Sequence, residues 1–399
     1  MSNLNLLHLT PSVSPASCGL AHISVNLAQA QYALGHNVAI WCFDDKENIV
    51  WGSKTSGFPA DRINGFKLVC PKKLYLSPDM SRHANKLSHD VFNIVHQHGL
   101  WTGVSRATLK IRQCHNIPTI IAPHGCLDHW ALNFSRWKKR IALAVYERNN
   151  LVHASCLHAT SENEIADFRD FGLTNPIAYI ENGVQEKYLS VEGNADRFRE
   201  QNAIASDKRI LFFLSRITPK KGLIMLIEAI DKIKDDFNGW QLIIAGMDEF
   251  DHKKEIENLI NQLKLEEKIK ILGPLFDQDK ADAFAAVELF ILPSYSEGSP
   301  LVVFESLAAG VPVITTKAST WSNLTVYNCG WWVDINTQAI IVALREAVSM
   351  SNEGLQQMGM RGKHLIASRY TWPQLAQKTI RLYDWLLDKD DKPDFVILD

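Results

Sequence analysis

The sequence predicts an α/β protein made of two successive doubly wound domains. Three observations carry that expectation. Short apolar runs alternate with amphipathic stretches along almost the whole chain, the pattern of strand-helix-strand units around a parallel sheet. The alternation is interrupted once, by the polar and charged residues 185–207, and then starts afresh. The length, 399 residues, exceeds what one ordinary core takes and suits two domains of about 200 residues each.

Composition narrows the class. Hydrophobic residues make up 46% and charged residues 22%, the ordinary balance of a globular enzyme. The formal net charge of −2 supplies no general pull toward nucleic acid or an anionic membrane, so any basic footprint has to be local. Seven cysteines stand at 18, 42, 70, 114, 126, 156 and 329. Scattered and without a Cys-x-x-Cys pair, they fit neither a disulfide framework nor a zinc finger and suit a reducing cytoplasm. The N-terminus lacks a basic segment and a cleavage site, and no apolar run reaches the length that spans a bilayer. The expectation is a cytoplasmic protein, peripheral on a membrane at most, with no nucleic-acid partner.

In chain order, Leu4–Leu9 reads as a first strand and the loop Thr10–Gly19 leads into a helix with apolar positions Leu20, Ile23, Leu27, Ala30 and Leu34. Gly35 ends it and Val38–Phe43 is the next strand. Residues 45–65, with Gly52, Gly57, Pro59 and Gly65, read mostly as loop. Strands at Phe66–Val69, Phe92–His96, Thr119–Ala122 and Cys156–Ala159 alternate with helices at Ser81–His89, Val104–Gln113 and Trp130–Asn149. A helix at Glu162–Phe171 and a strand at Ile177–Ile180 follow. After the polar connection, strands at Ile210–Leu214, Leu242–Ala245, Ile269–Leu272, Leu289–Leu292 and Val313–Thr315 have helices between them. The helix from Leu223 carries a stripe on Leu226, Ile227, Ile230 and Ile233 at helical spacing. A last helix begins at Tyr370–Pro373 and runs through Leu386, and the acidic tail from Asp388 reads as frayed.

The densest stretch runs from Leu289 to Thr315. The strand Leu289–Leu292, closed by Pro293, gives way to a polar loop and then a helix, with Ser299 expected as its cap and Pro300 as its first residue. Gly310 and Pro312 end that helix. Two carboxylates, Glu297 and Glu305, flank its N-terminus, where free N–H groups and the helix dipole favour an anion. Gly298 allows a ligand close to the backbone. Any one glutamate is more often a solvated surface group. The cap, the glycine, the proline and the spacing together, at the carboxyl end of a strand, point to a ligand site of an open parallel sheet.

Pro293-Ser-x-x-Glu297-Gly298-x-Pro300-Leu301-x-x-x-Glu305-x-x-Ala308-x-Gly310-x-Pro312-Val313 resembles the signature of the retaining nucleotide-sugar glycosyltransferases of family 4, the "group 1" family, whose hallmark is two glutamates separated by seven residues. The resemblance covers most of the chain and is densest from Ser215 to Thr316. It implies the GT-B architecture: two Rossmann-like domains facing across a cleft, with a C-terminal helix that crosses back to the first. The bounds would be 1–184, completed by 372–388, for the acceptor-side domain and 185–371 for the nucleotide-sugar domain. By the resemblance Glu305 grips the nucleotide ribose, Glu297 the donor sugar, and Gly298, Ser299, Pro300 and Leu301 line the donor site. A paired glycine in the family's first loop lies under the diphosphate; here the pair reads Cys18-Gly19, so only Gly19 matches.

Ser215-Arg216-Ile-Thr-Pro-Lys-Lys221-Gly222 follows the first strand of the second domain. A basic run is usually a solvated surface. At the end of this strand, Arg216 and Lys221 resemble the family's diphosphate-binding pair, and fixed cations there would offset the charge gained by a departing diphosphate. His124, in Ala122-Pro-His-Gly125, resembles the histidine that contacts the donor sugar and its acceptor. His96-Gln-His98-Gly-Leu-Trp101 puts two rings on one face of a strand and could bind metal. No metallohydrolase-type His-Asp follows, and the segment resembles His-Gly-Leu-Trp stretches of family relatives without metal; by that resemblance His98 and Trp101 are assigned to the acceptor cleft and no metal is assigned. The Asp-x-Asp matches at Asp277 and Asp388 are discounted, the first as a helix cap and the second as part of the tail. From Trp130 to Tyr146, Trp130, Phe134, Trp137, Ile141 and Val145 form an apolar stripe beside Arg136, Lys138, Lys139 and Arg140, which fits either an anionic membrane surface or a packed wall with its lysines in water.

The reading is a retaining, metal-independent glycosyltransferase without a cofactor. It would move a sugar from a UDP-sugar or GDP-sugar to a hydroxyl of a glycan or lipid-linked glycan in surface polysaccharide synthesis. Rival readings are a sugar-nucleotide epimerase on the same fold, a non-catalytic nucleotide-sugar-binding subunit, and a metal-dependent hydrolase built on the histidines. Product formation without acceptor, absence of turnover, and activity lost on chelation would respectively favour them.

Overall fold

The computed structural model describes residues 3–15, 18–70, 76–87, 91–133, 135–190 and 192–398, without the side chains of Cys18 and Trp130. The chain divides into two compact units, one of Met1–Gly183 with Trp372–Asp399 and one of Val184–Thr371. In the first, strands β1 (Asn5–Leu9), β2 (Asn37–Cys42), β3 (Ile63–Gly65), β4 (Ile94–His98), β5 (Thr119–Ala122), β6 (Cys156–Ala159) and β7 (Ile177–Tyr179) form a parallel sheet in the order β7-β6-β5-β4-β1-β2-β3. In the second, β8 (Arg209–Leu214), β9 (Trp240–Ala245), β10 (Ile269–Leu272), β11 (Leu289–Leu292), β12 (Val313–Thr316) and β13 (Gly330–Val333) follow the order β10-β9-β8-β11-β12-β13, again all parallel. Each sheet reverses its winding once, between β1 and β4 and between β8 and β11. Ligands of open α/β sheets bind just outside the strand ends at such a reversal.

Sheets covered on both faces need strands that are apolar throughout, and β11 shows it: all four of its residues are fully buried. The helix Leu223–Lys232 buries Leu223, Leu226, Ile227 and Ile230 completely, as its period demands. Each such side chain contributes about 1.5–3 kcal/mol by leaving water. The terminal helix Trp372–Leu386 belongs to the first unit, where Gln31 of the helix Cys18–Ala33 bonds Thr379 and Tyr383.

Five expectations are corrected. Residues 45–65 are not loop but a helix, Lys46–Ser56, a 3-10 turn, Ala60–Arg62, and β3. Asp45 caps the helix by accepting from Asn48 N, and Gly57, read as a loop marker, stops it at φ +81°. The acidic tail is not frayed: it ends in β14 (Val396–Ile397), antiparallel to β7, with Val396 buried. The single helix expected over Trp130–Asn149 is broken into His129–Asn133, Arg136–Ala142, a π segment Leu143–Glu147 and Arg148–Val152, with Ser135 left-handed at φ +54°. Ser299 does not cap the helix before β12. That helix is Leu301–Ala308, and Pro300, in extended conformation at ψ 111°, occupies the cap position with no side chain to accept a hydrogen bond. Likewise Asp277 is the first residue of its helix, after Phe276 at the cap.

Candidate active site

In the second unit both motifs land on the two sides of the sheet reversal. The loop after β8 carries Arg216 and Lys221, and the loop after β11 carries Glu297 and Gly298. Gly222 lets the two loops meet. It sits at φ +70°, and a Cβ there would stand 2.0 Å from the Pro293 carbonyl oxygen, so no other residue fits. The 3-10 turn Pro219–Lys221 then aims Lys221 at Glu297, and Nζ lies 2.5 Å from Oε1. Ser294 Oγ donates to the same oxygen at 2.5 Å, so both contacts fall on Oε1. The lysine and the glutamate are 10% and 9% exposed.

Glu305, in the second turn of the helix Leu301–Ala308, is held by a residue not singled out in the sequence. Lys280 Nζ lies 2.8 Å from its Oε1, each side chain being 15% exposed. The same ammonium stands 5.0 Å above the ring of Tyr188. Burial alone would lower the Lys280 pKa, but Glu305 and Tyr188 outweigh it and hold the lysine charged. Arg216 is different: 46% exposed, it pairs with Glu249 at 2.8 Å. Gly298 has open space where a side chain would be.

In the first unit, His8 on β1 and His96 and His98 on β4 flank the other reversal, with His8 in register with His96. His124 follows β5 at φ +53°, and His158 lies on β6. Four of the rings stack, with centroids 4.6 Å apart for His96 and His98 and 5.4 Å apart for His98 and His124, and His158 lies tilted against His96; all but the partly buried His124 are buried. Burial keeps all of them neutral. It pushes His8 and His158 down to about 4 and His124 to about 3, and His96 and His98 well below the usual range. His8, His96 and His98 bring ligand atoms within 4.8 Å of one another, yet both nitrogens of each ring already have hydrogen-bond partners.

Two buried carboxylates pin the loops around this cluster. Glu147 accepts from Trp101 N at 2.8 Å, and burial raises its pKa to about 6. Glu164 accepts from Gly125 N at 2.5 Å and from Thr160 N at 2.8 Å. Trp101, itself at φ +68°, leaves Nε1 buried without a partner among the described residues, as are Thr102 Oγ1 and His124 Nδ1. Unsatisfied buried polar atoms are costly, and their grouping after β4 and β5 suits a polar ligand. Gly19 lies in the first turn of the helix Cys18–Ala33, while the side chain of Cys18 is outside the described residues.

The family model "Glycosyl transferases group 1" matches residues 194–365, which include Arg216, Lys221, Lys280, Glu297 and Glu305, and "Glycosyl transferase 4-like domain" matches residues 19–183. The chain belongs to the group 1 glycosyltransferases. This glycosyltransferase is similar to the GDP-mannose:cellobiosyl-diphosphopolyprenol alpha-mannosyltransferase of Komagataeibacter xylinus, at 23% identity over 97% of this chain and 94% of that one. It is also similar to the putative glycosyltransferase EpsF of Bacillus subtilis, 28% identical over 54% of this chain and 53% of that one. Among solved structures, HepE of Anabaena in complex with UDP and glucose superposes with a TM-score of 0.77 at 18% identity, over 96% of this chain and all of that one. The sucrose-phosphate synthase of Thermosynechococcus elongatus gives 0.76 at 18% identity, over 97% and 100%. The enzyme therefore has the GT-B fold.

The stretch from Trp130 to Tyr146 carries a surface patch. Trp137, Ile141 and Val145 are 65%, 55% and 72% exposed, four residues apart, and Arg136, Lys138 and Arg140 beside them are exposed too. Lys139 is not part of it: its ammonium donates to the Ala131 carbonyl and lies 5.4 Å over the Trp101 ring. Phe134 and the Trp130 side chain, also placed in the stripe from the sequence, lie outside the described residues. Among the described residues no helix is long and apolar enough to cross a membrane.

Proposed function

We propose that this glycosyltransferase moves a sugar, with retention, from a UDP-sugar or GDP-sugar to a hydroxyl of a lipid-linked glycan during surface polysaccharide synthesis, using neither cofactor nor divalent metal. The observation that carries the reading is the donor-side arrangement at the second sheet reversal. Lys221 and Arg216 supply fixed positive charge for the diphosphate. Glu305 takes the ribose, and Glu297, with Oε1 already occupied, turns Oε2 to a sugar hydroxyl. Gly19, Gly298, Ser299, Pro300 and Leu301 line the donor, while His98 and Trp101 belong to the acceptor side and His124 takes a sugar hydroxyl.

Both glutamates are already ion-paired to lysines, which makes either a poor nucleophile. That favours displacement on one face of the sugar: the bond from the anomeric carbon to the phosphate oxygen breaks, the bond to the acceptor oxygen forms, and the acceptor proton passes to the departing phosphate. The cations stabilise the charge growing on that phosphate. A polyprenol-linked acceptor and a GDP donor are supported by the activity of the Komagataeibacter relative, and a UDP donor by the HepE complex.

A panel of nucleotide sugars tests the reading. One UDP- or GDP-sugar should bind and be slowly hydrolysed, releasing the sugar with its original anomeric configuration. Conversion of the donor into an epimer without acceptor would sink it. The exposed Trp137, Ile141 and Val145 with their basic neighbours favour a second element, peripheral docking of the enzyme on the cytoplasmic face of an anionic membrane.

A further inference from the structure

The buried histidines are joined in a chain whose proton positions can be derived from its ends. Gln31 holds one end. Its Nε2 lies 2.9 Å from Thr379 Oγ1 and 3.1 Å from the Tyr383 phenol oxygen, and its Oε1 lies 2.7 Å from His8 Nε2. The Thr379 hydroxyl gives its only proton to the Ala376 carbonyl at 2.8 Å, so toward Gln31 it can only accept. That fixes the amide, NH2 toward the terminal helix and oxygen toward His8.

An amide oxygen only accepts, so His8 carries its proton on Nε2 and leaves a lone pair on Nδ1. His98 Nε2, 2.9 Å away, must donate to that lone pair, which leaves His98 Nδ1 bare. His124 Nε2, 3.1 Å away, must donate in turn. The last nitrogen of the series, His124 Nδ1, is then a lone pair, and it is the buried atom found without a partner among the described residues.

A second branch checks the first. The Tyr383 oxygen accepts from Gln31, so its proton goes to His96 Nδ1 at 2.7 Å. His96 Nε2 donates to His158 Nδ1 at 3.2 Å, and His158 Nε2 donates to the Ile180 carbonyl at 2.8 Å. A carbonyl only accepts, so the same pattern follows when the branch is read from its far end. All five rings are Nε2–H tautomers, and a proton added to His8, His96, His98 or His158 would break a link.

We infer that Gln31, oriented by the terminal helix, sets the tautomer of His124 through His8 and His98, so that His124 meets its ligand as a hydrogen-bond acceptor. Such a nitrogen takes the proton of a sugar hydroxyl and repels a phosphate or carboxylate oxygen. Gln31, His8 and His98 are thereby positioning residues, and Thr379 and Tyr383 make the terminal helix part of the device. The inference rests on the reading above only for the identity of the ligand as a sugar.

The test is the nitrogen NMR spectrum of the full chain labelled with 15N-histidine, without substrate, at pH 7.5. Two-bond nitrogen–proton correlations distinguish the two neutral tautomers and the cation. The five rings should all be neutral with the proton on Nε2. In Gln31→Met, which keeps the length and removes the amide, His124 should become a mixture of both tautomers. A wild-type His124 protonated on Nδ1, or cationic, overturns the proposal, and that measurement needs no variant to fold. So does a folded Gln31→Met with an unchanged His124 spectrum. Failure of the wild type to transfer sugar would sink the functional reading and leave these substrate-free spectra as they are.

Discussion

Lys221 Nζ lies 2.5 Å from Oε1 of Glu297, and the two side chains are almost fully buried. The group assigned to the diphosphate and the group assigned to the transferred sugar thus hold each other in place. Removing either one strips its partner of a buried counter-charge, so effects on rate and on stability have to be separated.

Lys221→Ala should lower turnover by about a hundredfold, the order of losing one preorganised charge stabiliser, about 3 kcal/mol. It should also destabilise the fold by about 3–5 kcal/mol, because Glu297 is left buried and unpaired. The double variant Lys221→Met with Glu297→Gln should recover most of that stability and none of the turnover. Thermal unfolding and donor hydrolysis measured on the wild type and these two variants check this. Arg216, half exposed and paired with Glu249 at the surface, should behave otherwise: Arg216→Lys should lower turnover and nucleoside diphosphate affinity with unfolding unchanged within about 1 kcal/mol.

Glu305 is assigned to the ribose, away from the breaking bond. Glu305→Gln should raise the apparent donor constant by roughly ten- to a hundredfold, the worth of hydrogen bonds to a charged group, and lower kcat far less. Lys280→Met should move the donor constant in the same direction, since Lys280 is what fixes the Glu305 carboxylate. The pair combined should cost less than the sum of the two. Steady-state kinetics on the cycle decide it, and additive effects would mean that Lys280 does not act through Glu305.

These pairs mark how far the sequence could be read. The strand Leu289–Leu292 and the stripe from Leu223 to Ile230 follow from a fixed period, and the Glu297, Glu305 and Lys221 spacings are local. The Lys221–Glu297 bond joins residues 76 apart, and it depends on β8 lying next to β11 and on Gly222 admitting Pro293. No local pattern shows that. Lys280 follows Asp277-Gln-Asp279, and no local pattern shows that its ammonium reaches Glu305, 25 residues on. His8, Gln31, His158 and Tyr383 each read singly as core residues; the signal available was histidine recurring in three apolar strands. The tail was misread because charge at Asp388–Asp391 hid the Phe-Val-Ile run that adds β14.

Membrane docking makes a prediction with an internal control. Binding to vesicles containing phosphatidylserine should fall with salt and should fall about a hundredfold when Arg136, Lys138 and Arg140 become Gln, at about 1 kcal/mol per basic residue. Trp137→Ala should weaken it further by removing exposed apolar area. Lys139→Gln should leave vesicle binding unchanged, because that ammonium is turned inward to Ala131. Equal losses from Lys139→Gln and Lys138→Gln would show that the patch is not the docking surface.

Acid should unfold the first unit through its histidines. His8, His96, His98, His124 and His158 are neutral when folded because burial lowers their pKa values, to about 4 for His8 and His158 and about 3 for His124, against 6.5 when unfolded. The unfolded chain therefore binds more protons below pH 6.5, so their contribution is fully present above that pH and is lost as pH falls toward 4 and below. Glu147 works in the opposite sense: with its folded pKa raised to about 6, its contribution is full below 4.5 and declines as pH rises through 6. Asp44, Glu164 and Asp167, also raised by burial, act in the same sense as Glu147, and the deeper shifts of the five imidazoles outweigh these four carboxyls. Unfolding free energy should drop steeply between pH 6.5 and 4, each histidine contributing at most about 1.4 kcal/mol per pH unit. Denaturant titrations across that range measure the slope. Replacing His158 by Gln should reduce it by about one proton, and a slope unaffected by that change would mean His158 is already charged in the folded protein.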